Sequence, residues 1–420
     1  VSSWQPPTYL EKELEVAKRR GDLAAYQRIL GRGEVYMRVP KADGDALVNG
    51  EAKGYPLPLR TELGRQFMDV CTVGELNELD DDWVTYCARW ENLAEQDAYD
   101  YRWFVVNRGT PIEAAFSYEM IQQWLRLPGR PPGRFTHDKL ITTRRGPTRG
   151  PLAHGLACGA HLAIGNGAIW NTTINTYSGD YSSDMERLRG DWSINGPEDW
   201  AKQLTYLLNA ENSDPAIDAL LRMRQRLGGA AAASLSVKRW RNEFIAWARD
   251  RQIPEEVLEE TLDLLCMIID YEAAFRDARM LDANQVVATV AGYDYGRAVN
   301  LTRWGLAARY CTRDAAENLI RQAGELSQAA YASWPDFSAG YALGRVLRFD
   351  EGDFGSCYRD MLNVHEILAT EPDSPWRTTK WQSHSDAGTA RPVAQPAGRV
   401  VLTDENAEGF FARRAAGESA

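Results

Sequence analysis

The sequence predicts an α+β fold class: a small N-terminal α+β domain, then a mainly α-helical domain, then a disordered C-terminal tail. Three observations predict it. Short β-patterned runs separated by prolines and glycines occupy the first 127 residues. At residues 128 to 151, "PGRPPGRFTHDKLITTRRGPTRGP" loses all apolar periodicity. Beyond it, apolar residues recur at helical spacing. The divisions implied are 1–127 for the α+β domain, 128–156 for a basic Pro/Gly/Arg linker, 157–369 for the helical domain and 370–420 for the tail. A chain of 420 residues with 44% hydrophobic content is also long for one core, so two domains are the natural expectation.

From Tyr9 to Leu30 charged and apolar residues mix at helical spacing, and Gly31 supplies a stop. "EVYMRVP" and "YPLPLRT" read as two short strands around the turn-rich "KADGDALVNGEAKG", with the prolines keeping one of them near an edge. "DDDWVTYCARW" fits a third strand or the start of a helix. "YRWFVVNRGTP" is the clearest strand, turning at Asn107 and Gly109, and a helix follows over Ser117 to Leu125. In the linker, Arg130, Arg134, Lys139, Arg144, Arg145 and Arg149 stand against a single acid, which suits a solvated tether or a contact with phosphates or acidic protein.

The later part of the chain reads as helices. "PEDWAKQLTYLL" places proline in its first turn and repeats Trp200, Leu204, Leu207 and Leu208 at the 3.6-residue period. "VKRWRNEFIAWARDR" aligns Trp240, Phe244 and Trp247, and "GGAAAAS" before it reads as a flexible joint. "PEEVLEETLDLLCMIIDYEAAFRDARML" opens with residues suited to a helix N-terminus and is apolar on most sides in its middle, which places it at the centre of a bundle. Helices around 295 to 310 and 312 to 332 follow, and a last one includes "FSAGYALGRVL".

Charge and cysteine usage bound the function. A formal net charge of -11 repels a phosphate backbone, so no general nucleic-acid binding is expected and a cationic partner surface suits the chain better. The cysteines at 71, 87, 158, 266, 311 and 357 form no CxxC pair and read as reduced thiols of a cytoplasmic protein. "VSSWQPPTYLEKELEVAKRRGD" lacks an apolar signal-peptide core, and no stretch approaches the roughly 20 apolar residues of a membrane span, so membrane insertion is not expected.

The segments "LRGDWSINGPEDWAKQLTYLL", "YDYGRAVNLTRWGLAARYCTRDAAENLI" and "YASWPDFSAGYALGRVL" together resemble the bacterial domain of unknown function 1266, the family of YbeU- and YbeR-like proteins, over roughly residues 157 to 360. The pieces that carry the resemblance are Arg297, Asn300, Arg303 and Trp304, the pair Ser333 and Trp334, and Tyr341 with Gly344 and Arg345. It implies a helical domain without an established activity. In the N-terminal part, "VYMRVP", "YPLPLRTE" and "WFVVNRGTPIEAAFSYEMIQQWL" resemble the SseB, or enhanced serine sensitivity, family, with Asn107 and Arg108 where that family often shows Asn-Pro.

Candidate chemistry centres on one helix. Positions 297, 300, 301 and 304 share a stripe, so Arg297 and Asn300 point inward with Leu301 and Trp304, and Arg303 adjoins them. Arg345 lies one turn after Tyr341 and can join them if the two helices pack. Arginine keeps its charge when buried and offers five donors, so the set is either a brace satisfied by acids such as Asp294, Asp336 or Glu317, or a clamp for a small phosphate or carboxylate. Ser333 and Trp334 fall in an interhelical turn where an aromatic can anchor a partner or cap the bundle. The histidines at 137, 154, 161, 365 and 384 show no metal-ligand spacing, although His154 and His161 would share a face on one continuous helix. Glycine-rich "GLACGAHLAIGNG" lacks the order of a phosphate-cradling loop, and no GxSxG elbow appears. No cofactor or metal is expected. The sequence therefore points to a non-enzymatic protein-binding adaptor or regulator, of an immunity- or secretion-associated kind, with an anion-binding enzyme or sensor as the alternative.

Overall fold

The computed structural model describes residues 4–53, 58–95, 103–126 and 139–381. The N-terminal part contains helices α1 (Tyr9–Arg19) and α2 (Leu23–Leu30), strand β1 (Val35–Pro40), helix α3 (Lys41–Val48), strands β2 (Leu59–Glu62), β3 (Arg65–Val70) and β4 (Trp83–Ala88), helix α4 (Trp90–Glu95), strands β5 (Trp103–Val106) and β6 (Ala114–Ser117), and helix α5 (Tyr118–Leu125). The single opening helix expected over 9 to 30 is two. Gly21 adopts a left-handed φ of 65° and Asp22 caps the next helix through Ala25 N. The expected turn at 41 to 48 is helix α3, where Gly44 lets the helix lie against Tyr181 and Val84; a Cβ there would come within 3.1 Å of each.

Strands β1 and β4 pair antiparallel, and a four-stranded sheet has the order β2-β3-β5-β6 with β3 and β5 parallel. An antiparallel bridge between Tyr36 and Cys71 joins the two sheets. Strand β5 ends at Asn107, whose φ of 52° turns its buried amide back to accept from Thr72 N at 2.9 Å. Beneath the sheet, Trp90, Phe104, Phe116 and Trp124 pack as an aromatic core. Glu11 is fully buried in the same region, where it accepts from Gly74 N at 3.0 Å and completes a capping box with Thr8.

The helical part comprises α6 (Gly150–Cys158), α7 (Ala160–Gly165), α8 (Tyr181–Glu186), α9 (Pro197–Leu208), α10 (Pro215–Gly228), α11 (Val237–Asp250), α12 (Glu255–Asp277), α13 (Ala291–Ala307), α14 (Arg313–Ala330), α15 (Trp334–Phe349), α16 (Ser356–Thr370) and α17 (Pro375–Thr378). Helix α13, not α12, is the centre of the bundle: all of its residues are buried, and α6, α7, α9, α14 and α15 pack around it. Glycine makes that density possible. A Cβ at Gly296 would come within 2.6 Å of the Tyr341 ring and 2.8 Å of the Cys158 carbonyl. Helix α12 buries one side, with Leu265, Ile268, Tyr271 and Phe275 inward, and leaves the other in solvent.

Several boundaries move. Residues 150 to 156, expected in the linker, form most of α6, and their Ala153, His154, Gly155 and Leu156 are buried. Residues 127–138 lie outside the described residues, but Arg145 from the expected tether pairs with Glu75 at 2.7 Å. The "GGAAAAS" segment forms a 3-10 helix over Gly229–Ser234. The chain stays ordered past 370, through α17 to Trp381, whose indole donates to the Tyr331 carbonyl at 3.2 Å; residues 382–420 lie outside the described residues.

The two parts dock. Tyr181 donates to Asp45 at 2.6 Å, Asn175 donates to Leu79 O at 2.8 Å and accepts from Leu79 N at 3.1 Å, and Arg309 donates to Trp83 O at 2.8 Å. Val39 and Val84 of the N-terminal part belong to the large core of the helical part. No helix among the described residues is long and apolar enough to cross a membrane.

Candidate functional site

Helix α13 carries the expected polar set, and each member has internal partners, although Asn300 Oδ1 and Arg303 Nε and Nη1 are buried without a hydrogen-bond partner among the described residues. Arg297 pairs with Asp294 one turn earlier and lies over the Tyr293 ring at 3.9 Å. Asp294 is fully buried and also accepts from Asn212 N at 3.2 Å and Ser213 N at 3.0 Å, so the pair ties α13 to the connection between α9 and α10. Burial pushes the Asp294 carboxyl above the usual range, and Arg297 together with the Ser213 donors pulls it back. Asn300 donates to Gly159 O at 2.9 Å and to Gly296 O at 3.0 Å, which fixes the junction of α6 and α7. Arg303 is wholly buried, donates to Ile169 O and covers the Tyr177 ring at 3.8 Å. Its guanidinium is held down to about 10 by burial, against the pull of Tyr177 and Asp184. Asp184 is itself pushed up to about 7 by burial, despite Arg187 at 3.4 Å. Trp304 is buried and meets Trp192 at 6.5 Å.

These groups therefore face three different segments and do not line one common cavity wall. Arg345 is half-buried between Tyr341 and Cys357. Tyr341 stands near both Arg345 and Arg297 and stacks on His161 at 4.4 Å. Of the acids expected to answer the arginines, Asp294 does so; Asp336 accepts from Ala332 N at 2.8 Å, and Glu317 pairs with Arg313 and Arg321. Ser333 caps α15 by accepting from Asp336 N at 3.2 Å. Trp334 is only 4% exposed and donates to Thr379 O at 2.9 Å, so it closes the bundle against the segment after α16 and is not presented to a partner.

Two polar constructions have no counterpart in the sequence pattern. Ser338 sits between two histidines, with His161 Nε2 at 2.8 Å and His365 Nδ1 at 2.9 Å, so one hydroxyl links α7, α15 and α16. Burial holds His161 down to about 3 and His365 to about 4, leaving both rings neutral near pH 7. Ser338 is fully buried, which suits a structural bridge and gives a substrate no approach. Arg224 and Glu272 form a buried bidentate pair at 2.7 and 2.8 Å, and Glu272 also accepts from Val287 N at 2.8 Å. Their side-chain partners lie 27 and 177 residues from Ser338 and 48 residues apart in the Arg224–Glu272 pair, beyond any local motif.

His154 and His161 fall on different helices, α6 and α7, and face different neighbours: Trp334 meets His154, and Ser338 meets His161. No group of three or more metal-ligating side chains gathers among the described residues. Cys158 and Cys357 are buried and Cys266 is exposed. No curated protein and no solved structure has significant similarity to the chain. Residues 187–381, from the end of α8 through α17 and including the whole of α13, match the model of the family described as Protein of unknown function (DUF1266).

Proposed function

We propose that the protein is a non-enzymatic adaptor or regulator that presents an acidic helical face to a basic protein partner. The observation that carries this reading is α12. Its 23 residues contain eight acids and one arginine, and Glu256, Glu259, Glu260, Asp263, Asp270 and Asp277 lie on its exposed side. At 3.6 residues per turn these positions fall on one face, a ridge about 30 Å long. Only Glu272 of the eight is buried, and Arg224 and Arg276 answer it. A one-signed ridge speeds encounter with a basic surface and excludes acidic ones.

The arginine helix supports the same reading from the other side. Donors of Arg297, Asn300 and Arg303 serve Asp294, Gly159 and Ile169 in three different places, and these side chains are buried, so an anion-binding enzyme or sensor built on Arg297, Asn300, Arg303 and Arg345 has less in its favour. The SseB-like pattern of the N-terminal part and the YbeU- and YbeR-like pattern of the helical part suit an immunity- or secretion-associated setting. The cysteines, scattered along the sequence without a CxxC pair, suit the cytoplasm.

The test is affinity capture from the native cell with wild-type protein and with the Glu256→Lys, Glu259→Lys, Asp263→Lys, Asp270→Lys variant. A basic protein retained by the wild type and lost both from the variant and in high salt is expected. Identical capture by the two would overturn the docking face, and turnover of a defined substrate by the purified chain would overturn the non-enzymatic reading.

A further inference from the structure

Helix α6 starts at Gly150 with Pro151 in its first turn, and no side chain among the described residues caps its first N–H groups. Such a terminus carries orphan donors and the positive end of the helix dipole. Gly150 and Pro151 form one wall of a cleft of about 820 Å³ bounded by α6, α14 and the segment around α17. Four cations line that cleft: Arg149 at the helix start, Arg321 on α14, and Arg377 with Lys380 in and just after α17. Glu325 is the one acid among its described lining residues, and Arg321 is shared with Glu317 at 2.9 Å.

His154 completes the lining. It is 3% exposed, stacked on Trp334 at 4.6 Å and met edge-on by Trp381 at 4.8 Å, and neither ring nitrogen has a hydrogen-bond partner among the described residues. A neutral imidazole offers one N–H and one lone pair. Buried groups of this kind are ordinarily paired, so one left without a partner on a cleft wall points to a partner supplied from the cleft. The rings that grip it are themselves fixed, Trp334 by Thr379 O at 2.9 Å and Trp381 by Tyr331 O at 3.2 Å. Among the described residues His154 is therefore positioned by stacking, with both ring nitrogens buried and unpartnered.

We propose that this cleft binds a small, multiply charged phosphate-bearing anion, held by Arg149, Arg377, Lys380 and the α6 N-terminus, with His154 donating to its innermost oxygen. Phosphate chemistry is favoured over a simple carboxylate because a helix N-terminus and several cations meet at one place. A single carboxylate cannot use so many donors, whereas a phosphate or pyrophosphate presents oxygens in every direction and accepts bidentate bonds from arginine. The site is distinct from the α12 ridge, and its existence does not depend on the docking reading.

The test uses the full chain and pyrophosphate as the probe, with sodium chloride and citrate at matched ionic strength, read by calorimetric titration and by thermal unfolding. Pyrophosphate is expected to bind and raise the melting temperature, and citrate to bind at least ten-fold more weakly. The Arg377→Gln, Lys380→Gln variant changes only exposed side chains and is expected to fold normally and to weaken pyrophosphate binding at least ten-fold. His154→Phe keeps the stacking and removes the unpartnered nitrogens; it is expected to melt no lower than wild type without ligand and to bind several-fold more weakly. Heats no larger than those of sodium chloride, or unchanged affinity in the double variant, would overturn the site. Citrate binding as tightly as pyrophosphate would overturn the phosphate assignment.

Discussion

Arginine meets two opposite fates in this molecule. On α13, Arg297 and Arg303 lie in the interior, covered by Tyr293 and Tyr177 and spent on Asp294 and the Ile169 carbonyl. In the cleft at the start of α6, Arg149 and Arg377 stay exposed while the ring nitrogens of a buried histidine beside them lack a hydrogen-bond partner among the described residues. In the sequence the α13 arginines resemble a site, because they are dense and periodic, whereas the cleft arginines resemble parts of a tether and a tail. The difference teaches that a conspicuous charge in a helical stripe is first a demand for internal partners, which Arg297 meets through Asp294 and Arg303 meets in part, its Nε and Nη1 staying sealed in the core without a hydrogen-bond partner among the described residues. A site is better marked by partners that the fold leaves wanting.

A large effect is expected at another internal arginine. Arg224→Met removes the bidentate partner of Glu272, 2% exposed, leaving it Arg276 at 3.3 Å and the Val287 N–H, and is expected to cost about 3 kcal/mol in urea unfolding, the low end of the range for breaking a buried pair. Unchanged stability would show that such pairs are dispensable here. Protonation probes the interior next. His154 is held near 4, His161 near 3 and His365 near 4, all below the ordinary value of about 6.5. Their neutral forms stabilise the fold fully above pH 6.5, and this contribution is lost as the pH falls toward 4 and 3. Asp184, raised from 3.8 to about 7, works the other way: it favours the fold below pH 3.8 and loses that contribution as the pH rises through 7. Three histidines outweigh one carboxyl, so denaturation monitored by circular dichroism is expected to show declining stability from pH 6.5 to 4. Asp184→Asn should steepen that decline, and a flat profile in both proteins would contradict the assignment of neutral buried imidazoles.

Smaller effects belong to the surface. Arg345→Ala, on a half-buried side chain beside Tyr341 and Cys357, is expected to lose about 1 kcal/mol of packing. The four lysine substitutions on α12 are each expected to change stability by less than about 0.5 kcal/mol. A large loss from the α12 set, measured by thermal unfolding, would mean that the ridge is part of the fold's own support and not a docking face.

Much of the helical architecture is legible in the sequence. The proline and the Trp200, Leu204, Leu207 stripe mark α9 from Pro197 to Leu208, because a surface helix with one apolar face announces its period. The α+β character of the first quarter is also legible, from alternating runs and turn residues. Strands β3 and β6 are not, since "RQFMDV" and "AAFS" are short and poor in β-branched residues, and β3 draws one of its two partners, β5, from beyond the neighbouring hairpin. Helix α3 is hidden by Gly44 and two aspartates, residues that favour turns until Tyr181 packs over them. At the arginine helix the inward stripe is legible but its partners are not. Gly159 and Ile169 lie more than 130 residues before Asn300 and Arg303, and no local pattern encodes a backbone carbonyl. The cleft is hidden for the same reason, being assembled from residues 149 to 154, 321 to 325 and 377 to 380.

The most direct test of the internal brace is a double-mutant cycle on Asp294 and Arg297, read by equilibrium urea unfolding. Arg297→Met alone leaves Asp294 buried beside only two backbone donors and is expected to lose about 3–5 kcal/mol. Asp294→Asn together with Arg297→Met is expected to recover a large part of that loss, since the uncompensated charge is gone. An Arg297→Met protein as stable as the wild type would contradict the account, because an arginine that can be removed without cost is not bracing the bundle.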